Sequence, residues 1–261
     1  MVVEELWEEL KQAEFTPEEF ELQFGDGGRM DAIDLSARSM QAILRGLVDR
    51  VDICKKNGRN YFRVVDYKTG KKDFDYCDVF NGVGLQLLLY LFALERNGEA
   101  ILGEAPCAAG VQYFPARAPL VASDSKLTDE EAKAARQKEW KRRGLLLKDE
   151  DVLAAMDGED MTRLSCKRNK DGDLTGDLAD GQQMKLLRQY VFTLLSKMVD
   201  EIASGNVTPN PYTRGTSHDA CKFCPYGAVC HKTSVEGRRN YQAVKSDEFW
   251  DQIQKEVGNH G

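Results

Sequence analysis

The sequence lacks any long apolar run. None of its stretches approaches the roughly 20 consecutive apolar residues that a bilayer-spanning helix requires. The acidic start MVVEELWEEL also lacks the basic and apolar regions of a signal peptide, and we find no internal repeat or low-complexity tract. A cytoplasmic globular protein is therefore expected, in which 261 residues form one main domain with some decorations.

An excess of positive charge is also missing. Lys and Arg number 36 against 43 Asp and Glu, which gives a formal net charge of -7. This balance argues against a nonspecific polyanion binder, because phosphate contacts require clustered cations. It leaves room for a nuclease with a local basic channel, whose candidates are Lys68 with Lys71 and Lys72, and the run Lys141-Arg142-Arg143. For the second run, ordinary solvated surface charge is the favoured interpretation.

Local patterns predict an α/β core. Helices are predicted over residues 2–12, 79–97, 183–204 and about 247–256, and strands over residues 20–24, 43–53, 61–67 and 108–114. Asn57-Gly58 is the strongest hairpin signal in the chain, and Gly98 is a plausible helix stop. The order of hairpin, helix and strand predicts a mixed central sheet with a helix packed across it.

The chain divides into three regions on composition. Residues 1–215 form the predicted core, including a polar, charged insertion with some helix at about 122–182. A cysteine-rich loop follows at 216–235, and residues 236–261 form a tail that is expected to be peripheral.

The predicted hairpin brings two acids together. If Asn57-Gly58 is a two-residue loop, paired positions sum to 115, and Asp49 lies directly opposite Asp66. Because side chains alternate along a strand, Lys68 shares the face of Asp66, whereas Asp52 points to the face opposite Asp49. Replacing Asp52 is therefore expected to matter far less than replacing Asp49. A longer loop centred elsewhere would change this pairing.

Two opposed carboxylates repel each other unless a positive charge lies between them. Mg²⁺ prefers one or two carboxylates together with water and phosphate oxygens, which suits this pair. The corresponding chemistry is phosphodiester hydrolysis, with Lys68 neutralising developing charge and orienting the attacking water. The competing interpretation is an ordinary solvent-facing strand surface, with Lys68 in a simple ion pair.

Three ordered motifs resemble those of the RecB-family nucleases of the PD-(D/E)xK class. They are Gly46-Leu47-Val48-Asp49-Arg50-Val51-Asp52, Val65-Asp66-Tyr67-Lys68-Thr69-Gly70 and Gln86-Leu87-Leu88-Leu89-Tyr90. The resemblance implies a restriction-endonuclease-like fold with Asp49 and Asp66 as ligands of Mg²⁺ or Mn²⁺ and Lys68 as the catalytic lysine. Gln86 and Tyr90, on one helix face, are implied to be auxiliary residues of the catalytic site.

Three of the seven cysteines cluster near the end of the chain. Cys221, Cys224 and Cys230 fall within ten residues, which in a reducing compartment suggests metal rather than disulfides. Three thiolates fit zinc or an iron–sulfur cluster, and both sites normally take four protein ligands. His218 and His231 are local candidates for the fourth. The other cysteines (Cys54, Cys77, Cys107 and Cys166) are scattered, and we interpret them as buried or neutral thiols.

The cysteine spacing after a nuclease core resembles the AddB-type proteins of bacterial AddAB helicase-nucleases and the CRISPR-associated single-strand exonucleases. In both families a fourth cysteine precedes the core, whereas this chain has no cysteine before Cys54. The resemblance implies a 4Fe-4S cluster whose fourth ligand lies outside this chain, in a missing N-terminal, helicase-like part of the same polypeptide. It also implies two partners, DNA and a helicase of the AddA type, because the chain itself has no Walker A motif.

Three other functions stay open from the sequence. A catalytically silent DNA-binding scaffold would not need Asp49, Asp66 and Lys68 together. A free-standing CRISPR-associated exonuclease would need a fourth cysteine near its N-terminus. A zinc-clasped nuclease would contain zinc and no inorganic sulfide.

Overall fold

A computed structural model describes residues 2–35, 40–118, 127–214, 218–222, 224–230 and 239–258, with only the backbone described at position 218. The helices are α1 (Val2–Gln12), α2 (Tyr76–Phe80), α3 (Gln86–Asn97), α4 (Glu99–Leu102), α5 (Asp129–Glu139), α6 (Glu150–Asp157), α7 (Gly181–Ala203), α8 (Gly227–Cys230) and α9 (Ser246–Gly258). Within these residues no helix is both long and apolar enough to cross a bilayer.

A mixed sheet of six strands forms the centre of the fold, in the order β1-β4-β5-β6-β7-β10. Its strands are β1 (Thr16–Phe24), β4 (Gly46–Lys56), β5 (Arg59–Lys68), β6 (Cys107–Pro115), β7 (Arg143–Leu147) and β10 (Leu178–Ala179). The pairs β5/β6 and β7/β10 are parallel and the others antiparallel. The chain passes from β5 to β6 through α2, α3 and α4, as a parallel pair requires.

Among the described residues, short strands form three smaller sheets. They are β2 (Ile33–Asp34) with β3 (Ile43–Leu44), β8 (Cys166–Arg168) with β9 (Leu174–Gly176), and β11 (Tyr212–Arg214) between β12 (His218–Asp219) and β13 (Arg239–Asn240). In the last of these sheets, β12 and β13 lie before and after the three clustered cysteines in the chain, and both pair with β11.

Each face of the central sheet is covered by helices. Phe62 and Val64 of β5 belong to the larger apolar core, which includes residues of α3, α7 and α9. Tyr61, one residue away, belongs to the smaller core with α6. This alternation follows from the two-residue period of a strand. Helices on both faces of a mixed sheet confirm the predicted α/β core.

The predicted helix over residues 79–97 is wrong in one respect, because the chain forms two helices there. Gly82 and Gly84 have φ of 75° and 67°, in the left-handed region that favours glycine. The turn ends α2, and the Val83 amide donates to the Asp78 carbonyl at 2.8 Å. The apolar spacing continues through this break, so periodicity alone does not reveal it. The predicted stop at Gly98 is confirmed, since Gly98 caps α3.

Two regions contribute more to the core than the sequence suggested. The segment 122–182, predicted as an insertion with some helix, contains α5 and α6 but also adds β7 and β10 to the central sheet. The tail, predicted to be peripheral, forms α9 at the expected position, and Phe249 and Ile253 are fully buried. Both segments are rich in charged residues on their exposed sides. Their few apolar positions, which face the core, are therefore hard to recognise from the sequence.

Candidate active site

The β4–β5 hairpin has the register that the sequence predicted. Asn57 and Gly58 both have positive φ, 51° and 74°, as a two-residue turn of the favoured hairpin type requires. Pairing runs from Lys56↔Arg59 to Arg50↔Val65, so that paired numbers sum to 115. The next position in this register places Asp49 opposite Asp66, and there the Asp49 Oδ2 accepts a hydrogen bond from the Tyr67 amide at 3.0 Å.

Asp66 is a buried carboxylate with an ion-pair partner on its own strand. It is 4% exposed, and the Lys68 Nζ lies 2.6 Å from its Oδ2. Burial raises the pKa of Asp66, the Lys68 charge lowers it, and the Asp49 charge raises it, with a net increase. The three ionisable residues predicted for the site are therefore brought together.

The pair of carboxylates fits a divalent cation. The charges of Asp49 and Asp66 interact across the hairpin, and two neighbouring carboxylates, one of them buried, are a ligand arrangement that a cation would stabilise. Among the described residues no group of three His, Cys, Asp or Glu side chains could enclose a metal ion. A cation at this position would therefore need water and substrate oxygens to complete its coordination, as Mg²⁺ sites commonly do.

Gln86 and Tyr90 contact each other on α3, as their spacing predicted. The Gln86 Nε2 donates to the Tyr90 hydroxyl at 2.9 Å. The Tyr90 ring packs edge-on against Phe24, with ring centroids 5.8 Å apart. Both rings press on Gly46, where a Cβ atom would lie 2.7 Å from Tyr90 Cε1. The close approach of Tyr90 therefore requires glycine at position 46, three residues before Asp49 on the same strand.

A basic groove of about 290 Å³ lies beside Lys68. Its lining includes five more cations and one acid, namely Lys71, Lys72, Arg117, Lys141, Arg143 and Glu139. The run 141–143 therefore divides between two environments. Lys141 and Arg143 line the groove. Arg142 is 2% exposed and stacks over the Phe114 ring on the other side of the sheet.

Two residues near the site were missed by sequence reasoning. Tyr113 is the neighbour of Asp66 on β6, lines the groove and is 7% exposed. Burial, with the Asp66 and Asp78 charges, raises its pKa to about 12, so its hydroxyl stays protonated and can donate a hydrogen bond. Arg117 follows β6 in the same groove. Neither has a local signal, because the pairing of β6 with β5 depends on the fold as a whole.

Asp52 lies on the opposite face from Asp49, as predicted, in a buried ion network. It contacts Arg50 and Arg63, each at 2.8 Å, and is fully buried. Glu9 of α1 joins the same network, with its Oε1 3.0 Å from Arg63 Nη2. The expectation that replacing Asp52 matters little therefore applies to the chemistry and not to stability, because removing one buried partner leaves uncompensated charge.

The cysteine-rich loop is described only in part. Cys221 is partly buried, whereas Cys224 and Cys230 are exposed. The Cys224 amide donates to the Cys221 carbonyl at 3.2 Å, in a turn that leads to α8. His231 and the side chain of His218, the two candidate fourth ligands, lie outside the described residues. The assignment of Cys221, Cys224 and Cys230 to a metal cluster stays a prediction.

Two of the remaining cysteines have a raised thiol pKa, which agrees with the interpretation of them as neutral thiols. Burial raises the pKa of the Cys54 thiol, and raises that of Cys166 to about 11. Cys77 has a structural contact, because its Sγ donates to the Val244 carbonyl at 2.6 Å and accepts from the Val244 amide at 3.0 Å.

The start of α2 holds the strand that precedes the cysteine-rich loop. Arg214 of β11 pairs with Asp75, the N-cap of α2, at 2.6 Å, and its guanidinium lies 4.4 Å from the Tyr241 ring centroid. The strand that leads into the cysteine-rich loop is therefore held against the segment between β5 and α2.

The chain is similar to known proteins over most of its length. The chain is 36% identical over 260 residues to a subunit of the ATP-dependent helicase/deoxyribonuclease of Acetivibrio thermocellus, covering 95% of this chain and 22% of that protein. The protein of the same name from Moorella thermoacetica is 38% identical over 235 residues, covering 88% and 20%. The Clostridium acetobutylicum protein is 31% identical over 262 residues, covering 97% and 23%.

These relatives are much longer than the chain, which spans about a fifth of their length. A family model described as the PD-(D/E)XK nuclease superfamily matches residues 1–231, which contain the whole central sheet and its hairpin of acids. On this match and this fold, the chain belongs to the PD-(D/E)XK nuclease superfamily.

Proposed function

We propose that the chain is a metal-dependent deoxyribonuclease module that hydrolyses phosphodiester bonds of DNA strands unwound by a partner helicase during double-strand-break repair and recombination. The observation that carries the proposal is the opposition of Asp49 and Asp66 across the hairpin, with Lys68 Nζ 2.6 Å from Asp66 Oδ2. A catalytically silent scaffold would have no need for a buried, ion-paired carboxylate of raised pKa beside a basic groove.

Asp49 and Asp66 are the residues that would hold Mg²⁺ or Mn²⁺. When bound, such a cation supplies charge neutralisation at the phosphate and lowers the pKa of a coordinated water. The hydrogen bond from the Tyr67 amide fixes the carboxylate of Asp49 in position. Lys68, 37% exposed at its side chain, reaches the groove and can donate to a phosphate oxygen and to the attacking water.

The basic groove would hold the DNA strand. Its cations are local, which explains how a chain of net charge -7 can bind a polyanion. Tyr90 supports the site through Gly46 rather than through the acids themselves, and Gln86 orients the Tyr90 hydroxyl. We assign both as auxiliary residues of the site.

The partners we propose are DNA, a helicase of the AddA type and a helicase-like part of a longer polypeptide. The relatives are named as parts of an ATP-dependent helicase/deoxyribonuclease, which supports a helicase partner. The compartment we propose is the cytoplasm, where DNA is accessible in bacteria and thiols stay reduced.

We also propose that Cys221, Cys224 and Cys230 hold a 4Fe-4S cluster. Three thiols within ten residues are a suitable donor set, and the turn closed by the hydrogen bond from the Cys224 amide to the Cys221 carbonyl supports a compact loop. Anaerobic purification followed by iron, sulfide and zinc analysis tests this. We expect iron and sulfide that are lost in Cys224→Ser and kept in Cys107→Ser. Stoichiometric zinc without sulfide would overturn the cluster in favour of a zinc site.

The nuclease is tested by cleavage of labelled single-stranded DNA with Mg²⁺ or Mn²⁺. We expect metal-dependent cleavage that is abolished in Lys68→Ala. Lys170→Ala is the matched control, because this exposed lysine lies in the β8–β9 turn, away from the groove. Equal cleavage by the wild type and Lys68→Ala, or none by a folded wild type, would overturn the proposal.

A further inference from the structure

The acids of the site belong to a row of residues that crosses four strands. Asp66 of β5 is paired with Tyr113 of β6, and Tyr113 is paired with Arg143 of β7. The hairpin register adds Asp49 of β4 on the other side of Asp66. Paired residues of adjacent strands lie on the same face of a sheet. The row therefore leads from the two acids to a cation, at right angles to the strands.

Strand spacing sets how far apart the members of the row lie. Adjacent strands are about 4.8 Å apart, so that the backbone of Arg143 lies roughly 10 Å from that of Asp66. Lys68, at the end of β5, already provides the positive charge for a phosphate bound next to Asp66. A cation two strands further along is instead placed for another phosphate of a chain that crosses the sheet.

The surroundings of Arg143 allow it to bind such a group. Its Nε lies 3.5 Å from Asp73, in a pair whose side chains are 37% and 56% exposed. Two more acids lie nearby among the described residues: Glu139 lines the same groove, and Asp177 has a pKa that burial raises and Arg143 lowers, with a net increase. Exposed ion pairs contribute little to stability, so a phosphate can replace Asp73 as the partner. Lys141, in the same groove, adds positive charge.

We propose that Arg143, paired with Tyr113 on the neighbouring strand, binds the phosphate adjacent to the scissile one, so that a DNA strand crosses the sheet from β4 towards β7. This inference rests on the proposed nuclease function and adds the path of the substrate. Arg143 is then a substrate-binding residue, and a guanidinium suits it because its donor fork matches phosphate oxygens.

The test uses single-stranded oligonucleotides that each carry one uncharged methylphosphonate linkage. In the wild-type chain, we expect cleavage to be suppressed about tenfold at bonds one nucleotide from the neutral linkage, on one side of it. In Arg143→Ala, this suppression should disappear, because the contact it reports is already gone. On unmodified DNA, Arg143→Ala should raise KM about tenfold and change kcat less than about twofold.

Two variants make the test specific. Arg168→Ala is the matched control, because Arg168 forms a similar exposed pair, 2.9 Å from Glu150 with side chains 39% and 62% exposed, outside the groove. It should behave as the wild type. Arg143→Lys keeps the charge but lacks the donor fork, so its KM should lie between those of the wild type and Arg143→Ala. Both variants are checked for folding by thermal melting.

The outcomes separate this inference from the proposed function. Suppression by the neutral linkage that is equally strong in Arg143→Ala and the wild type would overturn the inference and leave the nuclease intact. Suppression in neither protein would do the same. Absence of cleavage of unmodified DNA by the folded wild-type chain would overturn the proposed function and this inference with it.

Discussion

Glu9 and Arg142 are 133 positions apart in the chain and form a buried ion pair, with 2.7 Å between Oε2 and Nε. Their side chains are 3% and 2% exposed. Glu9 also contacts Arg63 of β5, and Arg50 of β4 at 3.4 Å. One carboxylate on α1 is thus shared among three arginines behind the β4–β5 hairpin, and these ion pairs hold α1 against the sheet.

We expect Glu9→Gln to destabilise the protein by about 3–5 kcal/mol, because it leaves the buried arginines without their shared counter-charge. Urea unfolding measures the change. Glu8→Gln, at an exposed neighbouring position, is the control and should stay within about 0.5 kcal/mol of the wild type. A Glu9→Gln variant as stable as this control would contradict the role assigned to the network.

The same pair predicts a pH dependence. Burial alone would raise the pKa of Glu9, but the charges of Arg63, Arg142 and Arg50 outweigh it and lower that pKa. A lowered folded-state pKa means that the stabilisation is present above the usual value of 4.5 and is lost as the pH falls through the folded-state pKa. The stability difference between the wild type and Glu9→Gln should therefore be constant above about pH 5 and shrink below it. A constant difference down to about pH 3 would contradict this.

Replacing Asp49 and Asp52 should separate chemistry from stability. Asp49→Asn is expected to lower cleavage at least about a hundredfold with the fold retained, because it removes a proposed metal ligand. Asp52→Asn should instead cost about 3–5 kcal/mol of stability, since Asp52 is a buried partner of Arg50 and Arg63. Cleavage rates per folded molecule, at a temperature where both variants are folded, distinguish the two effects. Equal losses of rate would contradict the separation of the two faces.

Asp66→Asn should stabilise the metal-free protein while abolishing cleavage. Burial and the Asp49 charge raise the pKa of Asp66 despite Lys68, so ionised Asp66 disfavours the folded state at neutral pH. A gain of ~1 kcal/mol would raise Tm by about 2–4 °C in a domain of this size. Adding Mg²⁺ should stabilise the wild type and leave Asp66→Asn unchanged. A lower Tm for the metal-free variant would contradict the assigned charge balance.

Gly46→Ala should cost about 1–3 kcal/mol and reduce cleavage. The added Cβ would lie 2.6 Å from Phe24 Cε1 and 2.7 Å from Tyr90 Cε1, so both rings and the strand that carries Asp49 would have to shift. Gly181→Ala is the control, because a Cβ at this first residue of α7 meets no atom within 4 Å. The comparison requires Tm and cleavage rate for both variants. Wild-type cleavage by Gly46→Ala would show that Tyr90 does not act through Gly46.

The hairpin and its acids could be predicted because their information is local. A two-residue turn fixes the register of both strands, and the alternation of side chains then fixes which residues share a face. Helices α1, α7 and α9 were predicted within a few residues for the same kind of reason, since each has one apolar stripe.

Long-range pairing accounts for what was missed. Strand β7 is five residues long, and only its place beside β6 makes it part of the sheet and Arg143 part of the groove. The buried network was missed because arginine and glutamate are almost always exposed unless paired. The ion-pair partners of Arg142 lie on α1, and the sequence around Arg142 does not predict them.

The hairpin has a consequence for how the chain can vary in length. Asp49 lies on the face of the sheet that carries the candidate site, whereas its neighbour Arg50 belongs to the buried network. The same alternation separates Asp66 from Tyr67, whose hydroxyl accepts a hydrogen bond from Arg50 at 2.9 Å. Inserting or deleting one residue between positions 46 and 68 would turn the side chains beyond it to the other face of the sheet. An acid of the site would then be buried without a partner, and an arginine of the network would be exposed. Length changes should be tolerated instead at the surface turns of 25–28 and 169–172, while the hairpin keeps a fixed residue count.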